Sequence, residues 1–588
     1  MLGAHLLGNR SLCACRNLAL LSLFAAALCR CSGGSSRNPV SGGSGSATPA
    51  SGDDLSDDGG LIFARGPSSS PSDDVSEASS ASPDASSSSS EDSREASSEQ
   101  EADTFTCDPT QTPKDAACII NDAYGVFVAP PASVDGGLGG SDDAGNGTMA
   151  QPFATLGKAL QNLNGKVRVM ICSGVYPEEV SIDAAHAASL YGGLTCAVGP
   201  NGLTWRYTGA VAEARPAAAD GAALTISGVS GPLAIEDMGF EAPAAENQDP
   251  SGAGLSSIAA WVSNSTVSFS RVVLMAGDAA RGADGTTLVN YDLTVPIAPA
   301  PVNATDPTSQ VCPPGAMSPP ADSTMGGRGS LGSPMGSPGT AYPMVTGIAP
   351  RDGQGGVSSD GDYASPGDDG ADGYARNAGV ASTLLGTLSS TAWLPSPGGD
   401  GGAGTPGQGG GGGGSLPVSG SSTVFYFGGA GGTGGCGGGG GSGGQGGGAS
   451  VALFSLGSTV TLTTCQLVSN QAGDGGDGGV GGPGQAGSAG HVVLYSGNGG
   501  TGGNGAGGSG GAGGTGGLSA GIVYQGSLPV SDATTTIGLG HGAGAGAGGL
   551  GGGLGAGAAN SAGEGPNGNA GAPGLPGAYF TVHDADSP

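Results

Sequence analysis

Val267-Ser268-Phe269-Ser270-Arg271-Val272-Val273-Leu274 alternates apolar and polar residues twice, with a two-residue break between the alternating pairs. The same order, apolar-x-apolar-x-x-apolar-x-apolar, recurs at 233–240 and at 460–467. Two more apolar residues stand nine and seven positions before each segment: Leu224 and Ile226, Ile258 and Ala260, and Val451 and Leu453. A recurring apolar template is typical of proteins built from stacked structural repeats.

The template predicts short strands joined by corners. Each alternation buries one face of a strand, and the two-residue break marks a corner where the chain turns to the next sheet. Strands this short cannot hold a core alone, so each coil must stack its apolar residues on its neighbours. The second and third templates lie 193 residues apart (460 minus 267). We interpret three weaker apolar segments as additional coils joined by Gly-rich loops: Thr423–Phe427, Val492–Tyr495 and Gly521–Tyr524.

A short amphipathic helix is predicted before the first template. Pro152 suits a first helical turn, and Gly165 can end the helix. Between them, apolar residues spaced three and four apart form one stripe: Phe153, Leu156, Ala159, Leu160 and Leu163. Val167, Val169 and Ile171 then alternate with other residues, which indicates a strand.

This region resembles a known superfold. The order Gly145-Asn146-Gly147-Thr148, the helix after Pro152, a short strand and Gly174-Val175-Tyr176-Pro177-Glu178-Glu179-Val180-Ser181-Ile182 resembles the opening of pectin-lyase-like proteins. Ser189-Leu190-Tyr191-Gly192-Gly193-Leu194 is similar to the next coil of secreted β-helix proteins of myxobacterial type. The resemblance implies an all-β fold, a right-handed parallel β-helix solenoid whose first coil is capped by the short N-terminal helix.

The Gly-rich segments leave two alternatives open. Gly428 to Gly448 forms Gly-Gly-X triplets, with Ala430, Thr433 and Cys436 in one frame. A polyproline II helix has three residues per turn, so these side chains would share one edge, and bare Gly faces would let backbones form a hydrogen-bonded bundle. The alternative is a flexible coil, because Gly loses the most entropy on ordering.

The N-terminal residues predict export. Arg10 and Arg16 precede an apolar run from Leu18 to Leu28, which is too short to span a bilayer and is typical of a cleaved signal peptide over 1–31. The segment up to Cys31 resembles a lipoprotein processing site, although Arg30 departs from the small residue expected before the Cys. We therefore keep lipidation at Cys31 and plain secretion as alternatives. The localisation predicted is the outer membrane and cell surface, or the extracellular space.

The remaining organisation follows composition. Residues 32–103 are rich in Ser, Asp and Glu and are predicted to be a disordered tether. We then expect the cap and first coils over 104–300, a Pro/Gly/Asp-rich insertion over 301–420, and later coils with Gly-rich loops over 421–588.

Seven of the 11 Cys lie outside the signal region. In an exported chain, close pairs are read as disulfides, and we favour Cys107 with Cys118 and Cys172 with Cys196. Buried free thiols acting as small hydrophobic groups are the alternative. An odd count leaves at least one thiol unpaired or bonded to another chain.

Charge excludes two classes of partner. The formal net charge is -31, and no Lys or Arg follows Arg376. Nucleic acids and anionic membranes both require a basic surface, so we expect neither, and a membrane is reached only through a lipid anchor. The expected partners are the cell envelope or the extracellular matrix, including polysaccharide.

No catalytic set emerges from the residues. The resemblance implies lyases with a Lys or Arg base beside calcium, and the candidates near a template are Arg271 and Arg281. We interpret Arg271 as a solvated corner residue. Weakly bound Ca²⁺ is the one cofactor that the acidic loops could support. Their carboxylates are Asp360, Asp362, Asp368, Asp369 and Asp372. We expect a non-catalytic structural or adhesive surface protein, with a polysaccharide lyase or carbohydrate-binding module as the alternative.

Overall fold

A computed structural model of the chain describes residues 107–131, 139–199, 202–218, 221–286, 306–312, 323–332, 335–339, 355–357, 363–389, 392–419, 423–542, 544 and 564–582. The predicted signal peptide, the lipidation candidate Cys31 and the predicted tether lie outside these residues.

Strands dominate the described chain and form three large, mainly parallel sheets. Sheet 1 contains β1 (Val126–Val128), β2 (Arg168–Cys172), β5 (Ser189–Gly199), β6 (Gly202–Ala210), β9 (Pro232–Glu236), β12 (Thr266–Ser270), β21 (Thr459–Thr463) and β24 (Val530–Ser531). Sheet 2 contains β3 (Gly174–Tyr176), β7 (Ala212–Ala214), β10 (Met238–Glu241), β13 (Val273–Met275), β22 (Gln466–Val468) and β25 (Thr536–Gly538). Sheet 3 contains β4 (Val180–Asp183), β8 (Ala222–Ser227), β11 (Ser257–Ser263), β20 (Ser450–Leu456), β23 (Ser519–Gln525) and β26 (Pro576–Thr581).

The chain visits the three sheets in a repeating order. β11, β12 and β13 lie in sheets 3, 1 and 2, and β20, β21 and β22 follow the same order. Equivalent strands pair in parallel, so that Val267 lies between Leu233 and Val460. The three predicted templates are therefore stacked neighbours, as their shared pattern predicted.

The apolar positions of the template fill one core. All twelve template residues in the first, third, sixth and eighth positions belong to the same buried cluster. Phe269 is completely buried, and Cys465 occupies the position taken by Met238 and Val272 in the preceding templates. Cys465 is a buried free thiol that packs as a small apolar group.

The two-residue break of each template is a left-handed corner. Asp237, Arg271 and Thr464 hold the fifth position, with φ of 54°, 55° and 55°. Such a backbone conformation is uncommon for residues other than Gly, and its repetition shows that the corner is a fixed feature of each coil. The break in alternation therefore reorients the chain between sheets 1 and 2.

Helices are few in the described residues. η1 is a single 3-10 turn, Ala117–Ile119, and α1 is Leu156–Gln161. The Thr155 side chain caps α1 by accepting from the Lys158 amide, and the Glu178 carboxylate accepts from the Leu156 and Gly157 amides. α1 is shorter than the predicted stripe, because Phe153 is bridged to Val128 of sheet 1 instead of joining the helix.

The Gly-rich segments form an ordered lattice. We define the Gly-rich lattice as segments 363–380, 398–414, 428–448, 473–491 and 497–517. Every third amide from Gly429 to Gly447 donates to a carbonyl of segment 497–517, beginning with Gly429 to Gly497 at 2.9 Å. A different set of amides in 497–517 donates to 398–414, and another set donates to 473–491. The three-residue period is that of a polyproline II helix, and the structure contains the bundle rather than a flexible coil.

Backbone contact is what requires Gly in this lattice. A Cβ atom on Gly441 would lie 1.9 Å from the Gly479 carbonyl oxygen, well inside any van der Waals contact. The X residues of each triplet have space, and Ala430, Thr433 and Cys436 are buried between segments. The triplet pattern therefore reflects the packing, with Gly at the positions where neighbouring backbones touch.

The lattice segments occupy two connections between consecutive coils: 363–380, 398–414 and 428–448 lie between β13 and β20, and 473–491 and 497–517 lie between β22 and β23. The chain leaves sheet 2 after Met275 and returns to the parallel sheets at Ser450, later than residue 421 where the sequence suggested further coils. Ser257 pairs with Ser450 and Val273 with Gln466, so the chain returns in register. The antiparallel strand pairs in this interval are β14 (Ser309–Val311) with β15 (Ser323–Met325), β16 (Gly386–Leu388) with β17 (Trp393–Pro395), and β18 (Leu416–Pro417) with β19 (Phe425–Tyr426).

Candidate functional site

Exposed apolar side chains collect where the lattice segments turn. Segments 398–414 and 428–448 are joined by a turn that contains β18 and β19, and segments 473–491 and 497–517 are joined by the turn at 492–496. We call the apolar side chains on these turns and on the neighbouring turn at 331 the apical surface: Leu331, Tyr426, Phe427, Val492, Leu494 and Tyr495.

Contacts between the turns bring this surface together. The rings of Tyr426 and Tyr495 are 5.4 Å apart between centroids. The Ser496 hydroxyl donates to the Phe427 carbonyl at 2.6 Å, and the Gly428 amide donates to the Ser330 carbonyl at 3.0 Å. Three turns that are distant in sequence therefore form one surface.

The apical side chains face solvent. Leu494, Tyr495 and Val492 are 80%, 74% and 73% exposed. Residues 423–430 and 491–498 contain no Asp, Glu, Lys or Arg. Scattered exposed apolar residues are normal, but a contiguous apolar group on a protein surface marks an interaction site.

Two segments predicted to be coils are not coils, so that prediction was wrong, and their side chains form most of the apical surface. Thr423–Phe427 and Val492–Tyr495 lie in turns outside the three parallel sheets, whereas Gly521–Tyr524 lies in β23 as predicted. Both wrong assignments share a signal in the sequence. Gly-rich triplets border them on both sides, whereas Gly521–Tyr524 has such triplets on its N-terminal side only.

The apical surface is far from the sheets. Segment 428–448 runs from the apical turn to Gly448, two residues before β20 begins. At the usual rise of about 3.1 Å per residue, an extended segment of this length spans about 60 Å. The Gly448 amide donates to the Ala280 carbonyl at 2.9 Å, which ties the base of the lattice to the coil that precedes it.

Arg271 is committed to ion pairs at its corner. Its Nε donates to Asp237 Oδ1 at 2.7 Å, and one terminal nitrogen donates to Glu236 Oε2 at 2.7 Å. The Tyr207 hydroxyl also donates to Asp237, at 3.2 Å. The hydrogen bonds that Arg271 donates to Asp237 raise the pKa of Arg271 above its ordinary value, while burial raises the pKa of Glu236. Arg271 is thus held charged, which does not suit a general base, and it is a paired residue rather than the solvated one predicted.

The acidic side chains of the lattice accept backbone hydrogen bonds. Asp369 accepts from the Thr501 amide at 2.6 Å and Asp372 from the Asn504 amide at 2.7 Å. Asp360 and Asp362 lie outside the described residues, and Asp368 is exposed. Within the described ranges, no three His, Cys, Asp or Glu side chains are grouped to hold a metal ion. Weak calcium binding stays a prediction, while Asp369 and Asp372 have a structural role at the lattice edge.

Three disulfides stabilise the described chain. The two pairs favoured by the sequence, Cys107–Cys118 and Cys172–Cys196, are disulfides in the structure. A third, Cys312–Cys436, joins a hairpin to the middle of segment 428–448, and the sequence separation of 124 hid it from spacing arguments. Disulfides persist in oxidising compartments such as the extracellular space.

No protein-family model matches the chain, and no curated protein or solved structure was found to be similar to it. Among the described residues, none of the helices has the length and apolar character needed to cross a membrane.

Proposed function

We propose that this chain is an exported structural protein in which a right-handed parallel β-helix carries a rigid Gly-rich projection for adhesion or matrix organisation at the cell surface. The repeating order of strands over three parallel sheets supports the β-helix, and α1 would cap its first coil. The disulfides support export, because they persist where thiols are not kept reduced.

The observation that carries this function is the hydrogen-bonded lattice with an apolar surface at its far end. A flexible Gly-rich loop would not hold side chains at a fixed distance, whereas periodic backbone bonds do. Exposed apolar residues are unfavourable in water, so a projection that presents them suits attachment to another surface.

The carbohydrate-active alternative has less support. Arg271, the basic residue within a template, is paired with Glu236 and Asp237. Incubation of the purified chain with acidic polysaccharides should release no unsaturated products. Turnover that is lost when Glu236 or Asp237 is replaced would instead establish a lyase.

Export and anchoring can be tested in cells that produce the chain. The proposal expects the chain to be cleaved by protease added to intact cells and to be labelled by fatty acid if Cys31 is acylated. The Cys31→Ala variant should then lose the label and appear in the medium. A chain that stays protected in intact cells would contradict the proposal.

Adhesion tests the role itself. Cells that lack the chain should attach less well to neighbouring cells or matrix, and the intact chain should restore attachment. A variant with Val492, Leu494 and Tyr495 replaced by Ser should be exported but should not restore it. Full restoration of attachment by this variant would show that adhesion does not depend on the apical surface.

A further inference from the structure

We infer that the apical surface binds the interface of a lipid bilayer with uncharged or zwitterionic head groups. This inference rests on the proposed adhesive role and names the partner of the same surface. Three features carry it: the shape of the surface, its mixture of side chains and its lack of charge.

The shape favours a deformable partner. Leu494, Tyr495 and Val492 each keep about three quarters of their surface in solvent, so they project from their turn rather than line a groove. A folded protein would need matching pockets for each projecting side chain. A bilayer interface deforms around them, and apolar side chains can be buried several ångströms deep in it.

The side chains match the layers of such an interface. Leu331, Phe427, Val492 and Leu494 are apolar, and Tyr426 and Tyr495 stand side by side among them. Tyr has an apolar ring and a polar hydroxyl, and it is enriched where a membrane meets water. Burial of the aliphatic side chains below a pair of Tyr rings would therefore satisfy both kinds of group.

Charge decides the class of lipid. Attachment to anionic lipid uses clusters of about four to eight Lys or Arg. The apical turns 423–430 and 491–498 carry none, and Arg328 is a single cation near Leu331 in sequence. Exposed carboxylates lie near the apical turn, since Asp369 accepts from the Thr501 amide at 2.6 Å. They would be repelled by anionic lipid, whereas a zwitterionic surface has no net charge to repel them.

Vesicle flotation tests the inference. The full chain with Cys31→Ala, which removes the candidate acyl anchor, is mixed with phosphatidylcholine vesicles. We expect binding that changes less than twofold between about 50 and 500 mM salt, because apolar burial is not screened. Replacement of Val492, Leu494 and Tyr495 by Ser should weaken binding at least tenfold. Matched Ser substitutions should leave binding unchanged at exposed apolar residues elsewhere: Val167, Val198 and Leu528.

Depth of insertion gives an independent measurement. The three Trp of the chain, Trp205, Trp261 and Trp393, are 8%, 2% and 8% exposed. Leu494→Trp therefore adds the one exposed indole. Brominated phosphatidylcholine should quench the added fluorescence of this variant and leave the native chain's fluorescence unchanged.

We call the chain with Val492, Leu494 and Tyr495 replaced by Ser the apical variant. Three results would overturn the inference: absence of vesicle binding, equal binding by the apical variant, or self-association without lipid that the apical variant abolishes. The last would make a second copy of the chain the partner. If the intact chain fails to bind vesicles and the apical variant still loses cell adhesion, only the inference that lipid is the partner is refuted. Vesicle binding by the intact chain, with no loss of cell adhesion in the apical variant, would refute the adhesive role of the apical surface instead.

Discussion

Substitution of Gly508 by Ala would place a methyl group 1.8 Å from the carbonyl oxygen of Gly439 in the neighbouring lattice segment. An ordinary contact between these atoms is about 3.4 Å or more, so the two segments would have to separate by roughly 1.6 Å. The bonds on either side, Gly438 to Ala506 at 2.8 Å and Gly441 to Ser509 at 2.9 Å, would then exceed hydrogen-bonding distance.

Several effects combine in the expected free energy. Each lost backbone bond costs about 1 kcal/mol, and the forced fit adds about 1 to 3 kcal/mol. Ala restricts the unfolded chain more than Gly does, which offsets about 0.4 to 1 kcal/mol. We expect the Gly508→Ala variant to destabilise the lattice locally by about 3 kcal/mol.

Hydrogen exchange measured by mass spectrometry reports this local change. A loss of about 3 kcal/mol should speed exchange in segments 428–448 and 497–517 by about two orders of magnitude, while the strands of sheets 1 to 3 keep their protection. Gly231→Ala is the matched control, because nothing lies within 4 Å of its added Cβ. Equal exchange in the two variants would refute the close-packed lattice.

Further changes test the β-sheet core and its corner. Phe269→Ala should lower the free energy of unfolding by about 3 to 5 kcal/mol, whereas Cys465→Val should cost less than about 1.5 kcal/mol; chemical denaturation compares them. Arg271→Met leaves the Asp237 carboxylate without its cation and should cost about 2 to 3 kcal/mol in the same assay, less than a fully buried pair because Arg271 is partly exposed. Hydrogen bonds from Thr residues lower the pKa of Asp532 to about 2, so its stabilising effect is present above about pH 4 and is lost as the pH falls through about 2. The difference in melting temperature between the native chain and Asp532→Asn should therefore shrink from about pH 6 to about pH 2.

The stacked sheets could be predicted because their information is local. Each template shows which four side chains are buried and where the corner lies. Templates with the same apolar pattern pair when their buried side chains stack on one another. Arg271 shows where this reasoning fails. Its position at a corner was readable, but its partners Glu236 and Asp237 come from the coil below, and a single template does not show which charges are stacked.

The apical surface could not be predicted from short apolar segments alone. A run such as Val492–Tyr495 has the same composition as a buried strand, and only its connection to paired Gly-rich segments places it in a turn. The lattice itself was readable as one of two alternatives. Its backbone bonds link segments that are distant in sequence, so the three-residue period could indicate a bundle without deciding that one forms.

The Gly-rich lattice can change its reach without disturbing the sheets. Because it repeats every three residues, one Gly-Gly-X unit added to every segment of the lattice would extend the projection by about 9 Å and keep the three-residue spacing of its hydrogen bonds. The coils on either side pair in register across the whole interval, from Ser257 with Ser450 to Val273 with Gln466. Lengthening by triplets would thus carry the apical surface farther outward while the attachment of the projection to the coils stays unchanged.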